Sequence, residues 1–150
     1  MKCRCLLLCC FLLLCMESCK KENAAPSNNS LILGKWLLSK SVSQLYNSSK
    51  QLLSSTTSTT FTADDFVEYY DDGSGYYSES TPAGTSLSDF TYTISGTALT
   101  EFTGPENNSM PETITSITVT ALGIHAVSLV PDPNDPEVTD TEIDDYSYSR

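Results

Sequence analysis

The chain has 150 residues, 39% apolar and 18% charged, with a formal net charge of −11; that length suits one domain with one hydrophobic core, needing neither disulfides nor metal. All six cysteines lie at or before Cys19 and His125 is the only histidine, which excludes a disulfide framework, a CxxC redox centre and zinc sites built on cysteine or histidine clusters from everything beyond residue 19. Between Lys50 and Arg150 there is no basic residue against 17 acidic ones, and nucleic-acid binding, which needs a basic footprint on the phosphates, is excluded with it.

Lys2 and Arg4 open the chain with positive charge, and the apolar run 5–15 follows. That run is too short to span a bilayer core of ~30 Å, and it has the length of a signal-peptide core. Met16-Glu17-Ser18-Cys19 comes next. It resembles the lipobox of bacterial lipoproteins, where a small residue precedes a cysteine that is acylated and becomes the new N-terminus. The resemblance implies a signal peptide over 1–18 and a palmitate-type anchor on Cys19. It also implies a place in the bacterial envelope, at the outer membrane, on its periplasmic or its surface side. Lys20-Lys21-Glu22-Asn23 is similar to the start of many mature lipoproteins of Bacteroidota. Residues 19–30 are polar, contain Pro26 and have no apolar period, so they read as a flexible tether.

From residue 31 onward the pattern is that of strands. Phe90, Tyr92 and Ile94 alternate with Thr91, Thr93 and Ser95, the period-2 signature of a half-buried strand. The sequence predicts eight strands, near 34–46, 65–70, 75–80, 90–95, 98–103, 113–120, 124–130 and 142–150. Asp71-Asp72-Gly73-Ser74 and Ser95-Gly96-Thr97 are tight-turn sequences; a third turn is expected at Ala121-Leu122-Gly123. The remaining connections, 47–64, 81–88, 104–112 and 131–141, are rich in Ser, Thr or Pro and read as long loops. Long and short connections alternate, so an up-and-down arrangement collects the long loops at one rim and the tight turns at the other. Eight antiparallel strands can close into a barrel, which removes exposed edges and can hold one small ligand.

Three motifs carry a family resemblance over 31–150: Gly34-Lys35-Trp36-Leu37-Leu38, Tyr70-Asp71-Asp72-Gly73-Ser74-Gly75-Tyr76, and Tyr146-Ser147-Tyr148-Ser149-Arg150. In this order they resemble the lipocalin-like lipoproteins of Bacteroidota, whose first strand carries Gly-x-Trp. The resemblance implies an all-β, eight-stranded up-and-down barrel after a lipoprotein signal, holding a small apolar or amphipathic ligand. With an even strand count the first strand starts where the last one ends. Gly34, Trp36 and Arg150 are therefore expected at the barrel base, with the guanidinium over the indole. Phe66, Phe90, Tyr92, Tyr146 and Tyr148 either line a ligand cavity or fill the barrel as core. A filled barrel would instead be a structural or interaction module that meets another envelope protein.

Catalysis finds no support in the spacing. His125 has no nucleophile set beside it, and the pairs Asp64-Asp65, Asp71-Asp72 and Asp144-Asp145 read as turns and strand flanks rather than as acid–base pairs on a cleft. Asp71 to Gly75 lacks the downstream glutamate of a calcium loop. The acids between Pro131 and Asp145 read as a solvated loop, with a weak cation site as the alternative. The reading is a non-enzymatic protein with no cofactor and no metal.

Overall fold

A computed structural model describes residues 26–104 and 108–150. The expected signal peptide, Cys19 and most of the expected tether lie outside the described residues. A single helical turn, α1 (Asn28–Leu31), precedes nine strands: β1 (Gly34–Tyr46), β2 (Leu52–Ser58), β3 (Phe66–Tyr69), β4 (Ser74–Thr81), β5 (Gly84–Ser95), β6 (Ala98–Thr103), β7 (Asn108–Ile117), β8 (Ala121–Asp132) and β9 (Asp135–Ser149). Every neighbour pairing is antiparallel, in the order β2-β1-β3-β4-β5-β6-β7-β8-β9, and β9 pairs back on β1. The sheet is thus an eight-stranded closed barrel with β2 as an added strand. This is the all-β, eight-stranded up-and-down barrel that the sequence motifs imply.

The base is where the apolar residues gather. Trp36, Val67, Tyr69, Phe90, Leu99, Ile114, Leu122, Ile124 and Tyr148 form one buried cluster, and Ile32 seals it from below. The residues 28–30, expected in the tether, are instead part of α1. The turn is held by burial of Ile32 and by Asn28, whose Nδ2 donates to the Gly96 carbonyl at 2.8 Å. Trp36 Nε1 donates to the Ile32 carbonyl at 2.6 Å. The Arg150 guanidinium lies over the Trp36 ring, 3.7 Å from its centroid, and its Nη2 donates to the carbonyls of Leu31 and Leu33. Gly34 sits beside it with φ +99°, a conformation that strains side-chain-bearing residues.

The rim differs from the expectation of four long loops. Residues 47–64 contain β2, which pairs with β1 from Ser41↔Ser58 to Tyr46↔Leu52. The segments 81–88 and 131–141 are mostly strand, and they turn tightly at Pro82-Ala83 and Pro133-Asn134. β7 begins at Asn108, so 104–112 shrinks to a short connection. The third base turn lies at 118–120, and β8 starts at Ala121. The physical reason is shared. Near the rim the strands are mostly polar, and their apolar residues (Leu52, Leu53, Leu87, Met110, Val127 and Leu129) are exposed rather than ranged on one dry face, so no clean alternation marks them. Thr and Ser also suit a solvated pleated surface. Pro82 and Pro133 act as turn starters, whereas Pro111, Pro131 and Pro136 lie inside strands.

Two seams open in the upper wall. β1 has β9 on one edge and, on the other, β3 at the base and β2 at the rim. β4 leaves its partner β3 after Ser78, and among the described residues β2 pairs with β1 alone. The Asp65 carboxylate stitches the bottom of this seam, accepting from Ser80 N at 2.7 Å and Thr62 N at 2.6 Å. Those backbone donors, Ser80 first, hold its pKa below the usual aspartate value. The second seam lies between β7 and β8. Their ladder ends at Glu112↔Ala126, and Pro111, the next residue up, has no N–H to continue it.

Candidate functional site

Side chains paired across antiparallel strands share a face, so the register identifies the inner wall. It carries Trp36 and Leu38 on β1, Tyr77 and Glu79 on β4, Leu99 and Glu101 on β6, Met110 and Glu112 on β7, Ile124 and Ala126 on β8, and Asp144, Tyr146 and Tyr148 on β9. The lower half of this interior is filled. Tyr69 meets Phe90 and Tyr92 edge-on at 5.5 and 5.0 Å, and Tyr92 Oη donates to the Tyr70 carbonyl. Gly75 leaves the room that Phe90 occupies: a Cβ there would fall 2.5 Å from the ring.

Above that floor the barrel is not filled. A cavity of about 630 Å³ reaches from the core to the β7–β8 seam. Its apolar wall includes Leu38, Tyr77, Met110, Ile124, Tyr146 and Tyr148, and its acids are Glu79, Glu112 and Asp144; among the described residues no Lys, Arg or His borders it. The volume falls in the range of small-molecule sites, as does the pattern of an apolar lining with a few polar groups.

Two glutamates, Glu101 buried and Glu112 half-buried, join cavity and floor. Glu101 is fully buried; its Oε1 accepts from Tyr69 Oη at 2.8 Å, and its Oε2 has no hydrogen-bond partner. Glu112 lies on the next strand of the same face, and its Oε2 is likewise buried and unpartnered. Burial pushes the Glu101 carboxyl up to about 7, against the opposing effect of the Tyr69 bond. Burial, and then the charge of Glu101, push Glu112 up to about 8. Burial also raises Tyr146 to about 12, helped by the negative charges of Asp144, Glu112, Glu142 and Glu79.

The aromatic residues singled out from the sequence divide between two places. Tyr146 and Tyr148 line the cavity, and Phe66 borders it while its ring packs under Lys35 Nζ (3.4 Å to the centroid) and against Tyr76. Phe90 and Tyr92 belong to the packed base and do not border the cavity. Glu101 and Glu112 were not singled out from the sequence. A glutamate in phase with the inward residues of its strand was the available signal, but Glu112 fell in a segment read as a loop. His125 Nδ1 is 2.8 Å from Asp145 Oδ1, on the face opposite Asp144 and Tyr146. Asp72 Oδ1 accepts from Ser74 N and Oγ, which fixes the β3–β4 turn. Among the described residues no three His, Cys, Asp or Glu side chains converge to hold a metal ion.

No protein-family model matches the chain, and no curated protein does. One solved structure similar to it is that of a lipocalin-like protein from Bacteroides uniformis, at 12% sequence identity. The match covers 75% of this chain and 96% of that one, with a TM-score of 0.44.

Proposed function

We propose that this protein is a binding module that holds a small apolar or amphipathic molecule in the upper half of its barrel. The observation that carries the reading is the unfilled, acid-containing cavity above a packed floor. A barrel that served only as a scaffold would gain stability from filling that volume. The expected result with a neutral hydrophobic probe, N-phenyl-1-naphthylamine, is saturable fluorescence enhancement at one site. Ala126 lines the cavity between Glu112 and Asp144 in the register. Ala126→Trp should reduce probe affinity at least tenfold with the fold intact by circular dichroism. Equal binding by the variant would place the probe elsewhere and remove this reading.

The same proposal places the module on a bacterial envelope membrane, the outer membrane, through lipid on Cys19. The basic, apolar and lipobox-like order of residues 2–19 supports it. A single acyl chain gives marginal attachment, and two or more give a stable anchor at ~0.8 kcal/mol per buried CH₂. Cys19→Ala should move the protein from the membrane to the soluble fraction in its host. Retention in the membrane together with palmitate labelling would remove the anchor assignment.

A further inference from the structure

The cavity has one sign of charge. Glu79, Glu112 and Asp144 line it without a lysine, arginine or histidine among the lining residues. Glu142 extends the acidic face toward the rim, held by Ser43 Oγ at 3.1 Å. Charge of one sign on a surface strand is ordinary. Here the strands alternate, and Asp145 and Lys40 point outward while Asp144, Tyr146 and Glu112 point inward. The lysines of the barrel wall are thus absent from the interior that needs a counter-charge.

Fully buried, unpartnered carboxylate oxygen makes the case sharper. Glu101 is 0% exposed on the inner face, and its Oε2 has no partner. Beside it on the same face, Glu112 lines the cavity, and its own buried Oε2 has no hydrogen-bond partner among the described residues. A buried polar group without a partner costs ~1–3 kcal/mol, more if charged, and its persistence asks for a partner. A metal ion does not fit, because the acids do not converge as a ligand set among the described residues. An organic ammonium fits. It can be held by one or two carboxylates and by the faces of tyrosine rings, and its carbon skeleton takes the apolar wall.

Resting on the cavity reading above, we propose that the ligand is an amphipathic amine, with its ammonium against Glu112 and Glu79 and its hydrocarbon part against Leu38, Ile124, Tyr146 and Tyr148. Binding then has a proton signature. Near neutral pH Glu112 is protonated in the free protein. An ammonium beside it favours the carboxylate, and the proton leaves to the buffer.

The test uses three probes of equal chain length: octylamine, 1-octanol and octanoate, titrated calorimetrically into the protein at pH 7. Octylamine should bind at least tenfold more tightly than octanol, and octanoate more weakly than either. The octylamine enthalpy should vary with the ionisation enthalpy of the buffer, which shows proton release. Glu112→Gln should bring octylamine and octanol within threefold of each other and abolish the buffer dependence. Glu79→Gln, at an exposed position, should lower octylamine affinity several-fold and leave octanol unchanged. Octanol binding as tightly as octylamine to the unaltered protein would overturn the amine proposal and leave the cavity reading standing. Failure of all three probes to bind would overturn both.

Discussion

Trp36→Ala is expected to destabilise the barrel by about 3–5 kcal/mol, the usual cost of truncating a large buried aromatic side chain. Trp36 is fully buried, and three contacts depend on it at once. Its ring packs in the base cluster, its Nε1 bonds the Ile32 carbonyl, and Arg150 stacks on its face. For a domain of ordinary stability, about 5–15 kcal/mol, this is a large fraction of the whole. Urea unfolding by circular dichroism measures it. Arg150→Ala tests the outer half of the same unit. It should cost about 1–2 kcal/mol, because carbonyl bonds from a guanidinium are lost at a partly solvated site. It should also move Trp36 emission to longer wavelength. A midpoint unchanged by Trp36→Ala would mean that the base cluster does not hold the barrel shut.

The second large effect is on pH dependence. Both Glu101 and Glu112 have folded pKa values above the glutamate value of 4.5, at about 7 and about 8. The folded state therefore binds more protons than the unfolded state between those limits. By linkage, stability falls as pH rises through that window, and it is fully present below the unfolded pKa. Glu79 from β4 and Asp144 from β9 line the same cavity as Glu112, and Tyr69, Tyr146 and Tyr148 are neutral phenols within reach of the pair's charge. Among the described residues no basic side chain lines that cavity. The expected loss from pH 5 to pH 8 is on the order of 6 kcal/mol. Glu112→Gln should flatten most of it and should be more stable than the unaltered protein at pH 8. A stability that rises across the same interval would show that the carboxyls are ionised and paired in the fold.

Sequence carried the base of the barrel and lost the top. Where one face is dry and the other wet, alternation is visible; β5 from Phe90 to Ser95 and β6 were legible for that reason. Gly34, Trp36 and Arg150 could be brought together because closure of an even-stranded barrel fixes which ends meet. Near the rim that logic fails. β2 reads Leu-Leu-Ser-Ser-Thr-Thr-Ser with every residue exposed, and neither face has a hydrophobic signature. Acids on the upper inner wall are invisible for a related reason. An inward glutamate shows in sequence only through its phase with the apolar residues of its strand, and Glu79 and Glu112 lay in or beside segments that Pro82 and Pro111 made look like loops. The tyrosines were easier to choose than to sort, since core and cavity lining share a composition.

The break between β7 and β8 has a kinetic meaning. A seam between two strands that still own their donors can zip shut and reopen, and passage through it is gated by the lifetime of its ladder. At Pro111 the donor is missing from the covalent structure, and the pairing stops at Glu112↔Ala126. A ladder closed at that height would therefore lack the Pro111 bond, so its zipped state is weaker than that of any other strand pair with all its donors. On the proposed function, a molecule in the cavity would leave when its own contacts with the wall let go, and its residence time would report those contacts more than the breathing of the protein.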